Sequence, residues 1–444
     1  MKYQPIIGME VHIELRTKTK MFCACPGFHF GTKPNTQTCP VCLGLPGALP
    51  VPNAQAVEWT QFLGTAFGCT LAKFSRFDRK NYFYPDLPKG YQISQYEYPL
   101  ATYGSWTNGE GKKIGIRRIH LEEDTGKLSH TTINGERVTL VDFNRSGVPL
   151  AELVTEPDFS SSAEAKEFVQ ALQQIVRYLE ISDADMEKGS MRLEANISVR
   201  VGQTTNDIRQ KLPDYRVEVK NINSFRFLES AINYEIERQS EALERGEKLV
   251  QETRGYNEVK GITFSQRQKE EAHDYRYFPE PDIPSFEFSD EILKEIKSKL
   301  PELPESKRKR FETEYKISPS YSKILTETRE LADFFEEAIK VGSVHGISPA
   351  KLANTLVNKK PNISKMLPAE LIKLIKNAEE KGQISDEELE KVSLQSIEEN
   401  SDVVESYKNG KESVLQFLVG QVMRKTKGRA DPTKTAELLK KLLS

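Results

Sequence analysis

The chain has 444 residues with 63 lysines and arginines against 65 acidic residues, so its formal net charge is −2. Its length suggests about three domains, and 37% hydrophobic with 29% charged residues is typical of a globular protein with its own core. The overall charge does not by itself favour a nucleic-acid partner. No apolar run approaches the ~18 residues of a membrane span, and the start of the sequence lacks the features of a secretory signal. We therefore expect a cytoplasmic protein without a membrane partner.

The segment up to about residue 285 is predicted to form short strands of a mainly antiparallel sheet. In "IIGMEVHIEL" apolar residues alternate with polar ones, among them Glu10 and His12, as in a strand with one buried face. The segments "SMRLEANISVR" and "RVEVK" repeat this alternation, and "IRRIHLEED" and "RVTLVDF" bring the set to at least five strands. Ser161 and Glu164 form a capping-box pattern before a run with helical spacing.

Four of the five cysteines lie in the loop 22–44, "FCACPGFHFGTKPNTQTCPVCLG". They follow the spacing C-x-C-x13-C-x2-C, with the residues Cys23, Cys25, Cys39 and Cys42. Thiolates in two close pairs select zinc or an iron–sulfur cluster, and four thiolates leave no open coordination position, which predicts a structural site. A reducing cytosol disfavours a disulfide framework. Four thiols without a metal are the remaining alternative.

Acidic side chains recur on one face of the predicted strands. They are Glu10 beside His12, Glu194, Glu218, and the pair Glu122 and Glu123 in "HLEED". Each alone is typical of a solvent-facing residue, but carboxylates that share one face repel one another unless cations balance them. Arg192, Arg216 and Lys220 offer such a balance. The alternative is a divalent cation, for which carboxylate oxygens suit Mg²⁺, with Mn²⁺ as a substitute if His12 is a ligand.

The segment "FDRKNYFYPDLPKGYQISQ" combines basic and aromatic side chains. Its residues include Arg79, Lys80, Tyr82, Phe83, Tyr84, Lys89 and Tyr91. Alternating cations and aromatic rings suit the end of a single-stranded nucleic acid, although an aromatic loop packed on its own domain explains the pattern equally well. The sequence contains no P-loop, no strand–G-x-G-x-x-G–helix pattern and no G-x-S-x-G. It therefore does not resemble a self-sufficient hydrolase.

Beyond residue 285 the sequence is helical almost throughout. The proline-rich "YFPEPDIPSFEF" predicts a domain exit, and amphipathic patterns follow it. We expect a catalytic domain at 1–285, which includes the loop 22–44, then a helical domain at 286–386 and a small helical tail at 387–444. A basic group in the tail, formed by Arg424, Lys425, Lys427 and Arg429, either contacts phosphates or is a solvated helix end.

Several sequence motifs of the chain resemble those of a known family. The blocks "IGMEVHIEL", "FCACPGFHFGTKPNTQTCPVCLGLPGALPVPNAQAV", "DRKNYFYPDLPKGYQISQ", "RIHLEEDTGKLSH", "DFNRSGVPLAELVTEPD", "GSMRLEANISVR", "VEVKNINSFRFLESAINYEIERQ" and "DYRYFPEPDIP" are similar to the B subunits (GatB) of aspartyl/glutamyl-tRNA amidotransferases. They cover nearly all of residues 1–285. The stretch "SYKNGKESVLQFLVGQVMRKTKGRADP" is similar to the YqeY-like tail of that family.

The resemblance implies an α+β protein with a mainly antiparallel cradle domain, an all-α helical domain and a small helical tail that contacts tRNA. It also implies an ATP-dependent ligase. In that reaction ATP phosphorylates the side-chain carboxylate of misacylated Glu-tRNA(Gln) or Asp-tRNA(Asn), and ammonia then displaces the phosphate. The glutaminase A subunit would supply the ammonia, and the small C subunit would join the two. A non-catalytic, zinc-stabilised tRNA-binding protein is the rival hypothesis.

The resemblance also selects site residues. The expected catalytic residues are Glu10, His12, Glu123, Glu152, Glu194 and Glu218. All of them except Glu152 are also expected to be Mg²⁺ ligands. Glu152 rests on the resemblance alone, and alternation from His120 would favour Glu122 over Glu123. The residues expected to bind the cofactor ATP are Arg79, Lys80, Tyr82, Lys89, Arg192 and Lys220. The four clustered cysteines would hold a structural Zn²⁺.

Overall fold

The computed structural model describes residues 3–202, 212–268, 275–382, 384–408, 411, 414–426 and 428–443. The chain forms two compact units, Met1–Pro304 and Glu305–Ser444. The described strands all lie in the first unit, and the described part of the second is helical. This arrangement confirms the predicted α+β class, with a mainly antiparallel sheet followed by helices.

The strands of the first unit vary from two to twelve residues. In chain order they are β1 (Tyr3–Glu14), β2 (Thr70–Leu71), β3 (Phe74–Ser75), β4 (Asp78–Asn81), β5 (Tyr91–Ser94), β6 (Ala101–Thr107), β7 (Lys113–Glu123), β8 (Lys127–Ile133), β9 (Glu136–Asp142), β10 (Pro149–Thr155), β11 (Met191–Val201), β12 (Val217–Ile222), β13 (Glu252–Asn257), β14 (Ile262–Gln268), β15 (Phe278–Pro279) and β16 (Phe286–Glu287).

Nine of these strands form one large sheet, in the order β14-β13-β12-β11-β1-β10-β7-β6-β2. Neighbouring strands are antiparallel except for β12 and β13, which are parallel. The smaller sheets are β15-β4-β5, β16-β3 and the hairpin β8-β9. Strand β1 therefore lies in the interior of the large sheet, with β10 on one side and β11 on the other.

One face of the large sheet packs on a hydrophobic core. On β1 the side chains of Met9, Val11 and Ile13 are completely buried, as the alternation predicts. The helices of this unit are α1 (Ala54–Ala66), α2 (Ser162–Tyr178), α3 (Phe225–Glu244) and α4 (Asp290–Ser298). Ser161 caps α2 by accepting a hydrogen bond from the N–H of Glu164, as predicted. The opposite face of β1 carries the polar side chains of Glu10, His12 and Glu14.

The second unit consists of helices whose apolar faces pack together. They are α5 (Pro304–Glu314), α6 (Pro319–Leu325), α7 (Arg329–Val344), α8 (Pro349–Lys359), a short 3-10 turn (Ile363–Lys365), α9 (Pro368–Gly382), α10 (Asp386–Glu398), α11 (Ser401–Lys408), α12 (Leu415–Lys425) and α13 (Pro432–Leu443). Helices α10, α12 and α13 share a core of their own around Leu418, Val422 and Leu439. Among the described residues, no helix is both long and apolar enough to span a bilayer.

The predicted domain limits remain predictions. Leu293 and Ile296 of α4 are buried in the core of the first unit, so this helix, which follows the proline-rich segment, packs with the sheet domain. Within the second unit, the expected division at residue 386 coincides with the start of α10. In the basic group of the tail, Lys427 lies outside the described residues.

Candidate functional site

The polar face of the large sheet gathers the predicted acidic residues through strand register. Glu10 of β1 is directly opposite Glu194 of β11, and His12 is directly opposite Glu152 of β10. Directly opposed residues of antiparallel strands point to the same face and lie close together. The alternation seen in the sequence therefore places these four side chains side by side.

Two groups of metal-ligand atoms result, each with its donor atoms within 4.8 Å of one another. The first, called here the carboxylate triad, consists of Glu10, Glu194 and Glu218. The second, called here the histidine cluster, consists of His12, Glu122 and Glu152. Oxygen donors of this kind fit Mg²⁺, and the imidazole in the second group also fits Mn²⁺.

The carboxylate triad is held by polar side chains of the neighbouring strands. Asn196 Nδ2 donates to Glu10 Oε1 over 2.7 Å. The Nζ of Lys220 lies 3.0 Å from Glu194 Oε2 and 3.6 Å from Glu218 Oε1. Burial, followed by the charges of neighbouring glutamates, raises the pKa of Glu10, whereas the hydrogen bond from Asn196 lowers it. Repulsion among the carboxylates is thus only partly relieved.

A β-bulge brings Lys220 to the triad. Leu193 pairs with Ile222 and Ala195 pairs with Val219, so both Lys220 and Asn221 face Glu194. Asn221 has a positive φ of 62°, in the left-handed region that Asn tolerates better than most residues. Bulges of this kind change the direction of a side chain and are frequent next to active sites.

The Glu152 carboxylate of the histidine cluster faces two imidazoles, that of His12 and that of His120 beside the cluster. His12 Nε2 lies 3.4 Å from Glu152 Oε2 and 3.7 Å from Glu122 Oε1, and His120 Nε2 lies 3.3 Å from Glu152 Oε2. Burial alone would lower the pKa of His12, but Glu152 and its neighbours raise it to about 9. Burial would raise the pKa of Glu152, but His120 and His12 hold it well below its ordinary range. The cluster thus carries an ionised carboxylate against two facing histidines.

His120 was not among the predicted site residues. It is directly opposite Glu152 in the register of β7 and β10, and its side chain is almost fully buried. Its Nδ1 has no hydrogen-bond partner within the described part of the chain. The sequence carried a signal for it, since His120 and Glu122 are two residues apart on a predicted strand.

Of the neighbouring residues Glu122 and Glu123, the structure places Glu122 in the histidine cluster, whereas the resemblance selects Glu123. The structure brings Glu122 to His12, whereas the next residue on the strand points elsewhere. The Glu123 carboxylate accepts from the backbone N–H of Ile93 over 2.9 Å and pairs with Lys89 over 2.5 Å. Glu122, which strand alternation favours, is therefore the member of the pair that lies beside His12, and the role predicted for Glu123 stays a prediction.

The residues predicted to bind the cofactor fall into two groups. Lys80 and Lys220 lie near the acidic clusters. Burial lowers the pKa of Lys80, but the nearby charge of Glu122 raises it. Lys220 contacts the triad directly. The others have internal partners. Arg79 pairs with Glu280 and Asp282, Tyr82 donates to Gln92, Lys89 pairs with Glu123, and Arg192 pairs with Asp124.

The aromatic side chains of the same segment are divided between the interior and the surface. The Cζ atom of the Arg79 guanidinium lies 4.2 Å from the centroid of the Tyr91 ring. The Tyr82 and Tyr275 rings flank the Lys80 ammonium. In contrast, Phe83 is 90% exposed and Tyr84 is 61% exposed. The half-buried rings agree with the alternative of an aromatic loop packed on its own domain, and nucleic-acid binding by the exposed rings stays a prediction.

The four clustered cysteines come together as their spacing predicts. Their sulfur atoms lie within 4.8 Å of one another, and none of the cysteines forms a disulfide. Hydrogen bonding from Cys23 lowers the pKa of the Cys42 thiol to about 4 against the effect of burial, and the ammonium of Lys20 contributes. Four sulfur donors at this separation fit a closed tetrahedral zinc site.

The cysteine loop touches the end of strand β1. His29 Nε2 lies 3.0 Å from the Glu14 Oε2 of β1, and the N–H of Lys20 donates to the carbonyl of Cys25. Gly44 lies against Lys89, because a Cβ added there would come within 2.4 Å of Lys89 Cγ. The loop therefore braces the end of the strand that carries Glu10 and His12, and it also contacts the Lys89–Glu123 pair.

Comparisons with known proteins identify the family of the chain. A model of the GatB/GatE catalytic domain matches residues 5–294, and a model of a further GatB domain matches residues 372–443. The B subunit of the aspartyl/glutamyl-tRNA(Asn/Gln) amidotransferase from Thermotoga petrophila is 48% identical over 100% of this chain and 99% of that protein. The corresponding proteins of Thermosipho melanesiensis and Thermoanaerobacter pseudethanolicus are each 47% identical over the full length of both chains. The chain therefore belongs to the GatB family, the B subunits of aspartyl/glutamyl-tRNA amidotransferases.

Proposed function

We propose that this chain is the component of a tRNA-dependent amidotransferase that activates a misacylated aminoacyl-tRNA with ATP. The substrate is Glu-tRNA(Gln), Asp-tRNA(Asn) or both, and the product carries a side-chain amide. The observation that carries the proposal is the pair of adjacent acidic clusters on the polar face of the sheet in a chain of this family. Because a carboxylate has no good leaving group, its conversion into an amide requires activation, which an acyl phosphate supplies.

The acidic clusters suit phosphoryl transfer. This reaction depends mainly on positioning the reactants and on neutralising charge. We assign Glu10, Glu194 and Glu218 as Mg²⁺ ligands, with His12, Glu152 and Glu122 around a second position; Glu123 is replaced by Glu122 in this assignment. When bound, Mg²⁺ would supply positive charge that offsets the negative charge of a phosphorylated substrate.

The chain's own residues prepare these carboxylates. Asn196 fixes one oxygen of Glu10, so the other oxygen is oriented by that hydrogen bond. Lys220 lies between Glu194 and Glu218 and reduces their repulsion. Lys80, which is half-buried and feels the charges of Glu122 and Glu152, adds a positive charge beside the histidine cluster. Carboxylates and cations held in this way need little rearrangement when a phosphorylated substrate binds.

The names of the relatives support a multi-subunit assembly, since each relative is named as the B subunit of its enzyme. We assign the ammonia supply to a glutaminase A subunit and the joining of the assembly to a small C subunit, and we expect the complex to act on tRNA in the cytoplasm. The four-cysteine site is assigned a structural Zn²⁺. Its closed donor set offers no position for a substrate.

Transamidation by the reconstituted complex tests the proposal. Glu218→Gln and Glu10→Gln should each abolish amide formation on both misacylated tRNAs, because each removes a charged oxygen donor, while the glutaminase partner still hydrolyses glutamine. Glu241→Gln, at an exposed position of α3, is the matched control and should retain activity. Near-normal transamidation by either site variant would contradict the assignment.

A second measurement separates the proposal from its rival. A non-catalytic tRNA-binding protein would show no ATP hydrolysis that depends on both Mg²⁺ and misacylated tRNA. The proposed enzyme should hydrolyse ATP only when both are present in the complete complex. Assays with Glu-tRNA(Gln) and with Asp-tRNA(Asn) in parallel identify the substrate.

A further inference from the structure

Glu218 has a hydrogen-bond donor outside the triad. Thr253 Oγ1 donates to Glu218 Oε2 over 2.7 Å. The other carboxylate oxygen, Oε1, lies 3.6 Å from the Nζ of Lys220, which also contacts Glu194. The threonine hydroxyl thus binds one oxygen of Glu218, while the lysine that bridges to Glu194 contacts the other.

The contact depends on the parallel pairing of β12 with β13. Strand β13 runs parallel to β12, with Thr253 in register with Glu218, so both side chains point to the polar face. The hydroxyl lies in a largely buried position, since Thr253 is 8% exposed. A buried hydroxyl that reaches a carboxylate forms a stronger hydrogen bond than one in water.

Strand β13 is fixed in place by a buried ionic network on its other face. Glu235 of α3 is fully buried, and its two oxygens bind Arg254 of β13 over 3.1 Å and Arg238 of α3 over 2.7 Å. Arg254 also pairs with Glu252 over 3.0 Å, and the hydroxyl of Thr263 in β14 donates to Glu235. The network joins α3, β13 and β14, and thereby sets the position of Thr253.

We propose that Thr253 is a positioning residue for the carboxylate triad, whose hydroxyl fixes the orientation of Glu218 towards a divalent cation. The inference rests on the proposed function, in which Glu218 is a ligand. A carboxylate ligand rotates about its terminal bond, and a hydrogen bond to the non-ligating oxygen restricts that rotation. Removal of such outer contacts typically lowers metal affinity or activity by about 10–100-fold.

The test measures Mn²⁺ binding by electron paramagnetic resonance in the complete complex, together with the Mg²⁺ dependence of transamidation. Thr253→Val replaces the hydroxyl by a methyl group of similar size, and Thr253→Ser keeps the hydroxyl. We expect Thr253→Val to weaken Mn²⁺ binding by about 10–100-fold and to raise the Mg²⁺ concentration needed for half-maximal activity by a similar factor. At saturating Mg²⁺ most of the rate should return. Thr253→Ser should behave as the unmodified chain.

Each outcome has a distinct meaning. If Thr253→Val binds Mn²⁺ normally while Glu218→Gln does not, the positioning role is wrong and the proposed function stands. If Glu218→Gln leaves Mn²⁺ binding unchanged, the proposed function itself fails. Equal losses in Thr253→Val and Thr253→Ser would overturn the inference, because they would point to packing rather than to the hydroxyl. Should the valine variant not fold, Thr253→Ala against Thr253→Ser makes the same comparison.

Discussion

Replacement of Glu235 by Gln should loosen strands β13 and β14 from helix α3. The glutamine has nearly the shape of the glutamate but no charge, so the guanidinium groups of Arg254 and Arg238 would no longer share a carboxylate. Both guanidinium groups are largely withdrawn from water, with side-chain exposures of 13% and 22%. Loss of one partner of a buried ion pair leaves the other charge without compensation.

The size of the effect follows from the ion pairs that the substitution breaks. Breaking a buried pair by removing one partner typically costs about 3–5 kcal/mol. The amide oxygen of the introduced glutamine would still accept one hydrogen bond, and Glu252 still pairs with Arg254, so we expect the lower end, about 3 kcal/mol. Because about 1.4 kcal/mol corresponds to a factor of ten, local opening of the β13–β14 hairpin should become about 100-fold more frequent.

Amide hydrogen exchange followed by mass spectrometry measures this opening peptide by peptide. Peptides from Glu252–Asn257 should exchange about 100-fold faster in Glu235→Gln, by the same conversion, whereas peptides from Leu415–Lys425 in the second unit should not change. Glu241→Gln on the exposed side of the same helix is the control and should leave both rates unchanged. Unaltered exchange of β13 in Glu235→Gln would refute the claim that the network fixes this strand.

Two further predictions concern the cysteine loop and the β-bulge. Cys39→Ser should reduce the zinc content of the purified protein from near one equivalent to below about a tenth and should lower its thermal stability. Cys69→Ser, which lies outside the cluster, is the control and should keep the metal. Elemental analysis measures the metal content, and an unmodified chain without zinc or iron would contradict the site. Asn221→Gly should preserve Mn²⁺ binding and transamidation, because glycine adopts a positive φ without steric cost. Asn221→Val should cost about 1–2 kcal/mol and impair both by moving Lys220, so equal behaviour of the two variants would rule out the role assigned to the bulge.

Local alternation explains how much of the site could be predicted from the sequence. Successive side chains of a strand point to opposite faces, so the assignment of Glu10 and His12 to one face of β1 needed no knowledge of the fold. The opposition of Glu10 to Glu194 then required only that β1 and β11 pair in one register. The same rule favoured Glu122, where the resemblance selected Glu123, and here the local rule agrees with the structure.

Contacts between distant segments could not be predicted in this way. Thr253 meets Glu218 because β12 and β13 run parallel on either side of α3 in the sequence, and alternation within one strand does not specify its neighbour. Arg79 illustrates the same limit, since Glu280 and Asp282, which bind its guanidinium, lie 201 and 203 residues further along the chain. A basic residue next to aromatic rings is therefore a weak predictor of a free cation.

The two acidic clusters differ in their charge balance, and this difference indicates where a divalent cation contributes most. In the histidine cluster the facing imidazoles hold the pKa of Glu152 well below its ordinary range, so its negative charge is already compensated. In the triad, the ammonium of Lys220 contacts Glu194 and Glu218, and burial and the charges of neighbouring glutamates raise the pKa of Glu10. Binding of a divalent cation therefore relieves more repulsion at the triad than at the histidine cluster. For this reason the hydrogen bonds that orient the triad, from Asn196 and Thr253, are the contacts whose removal should be felt most strongly in metal binding.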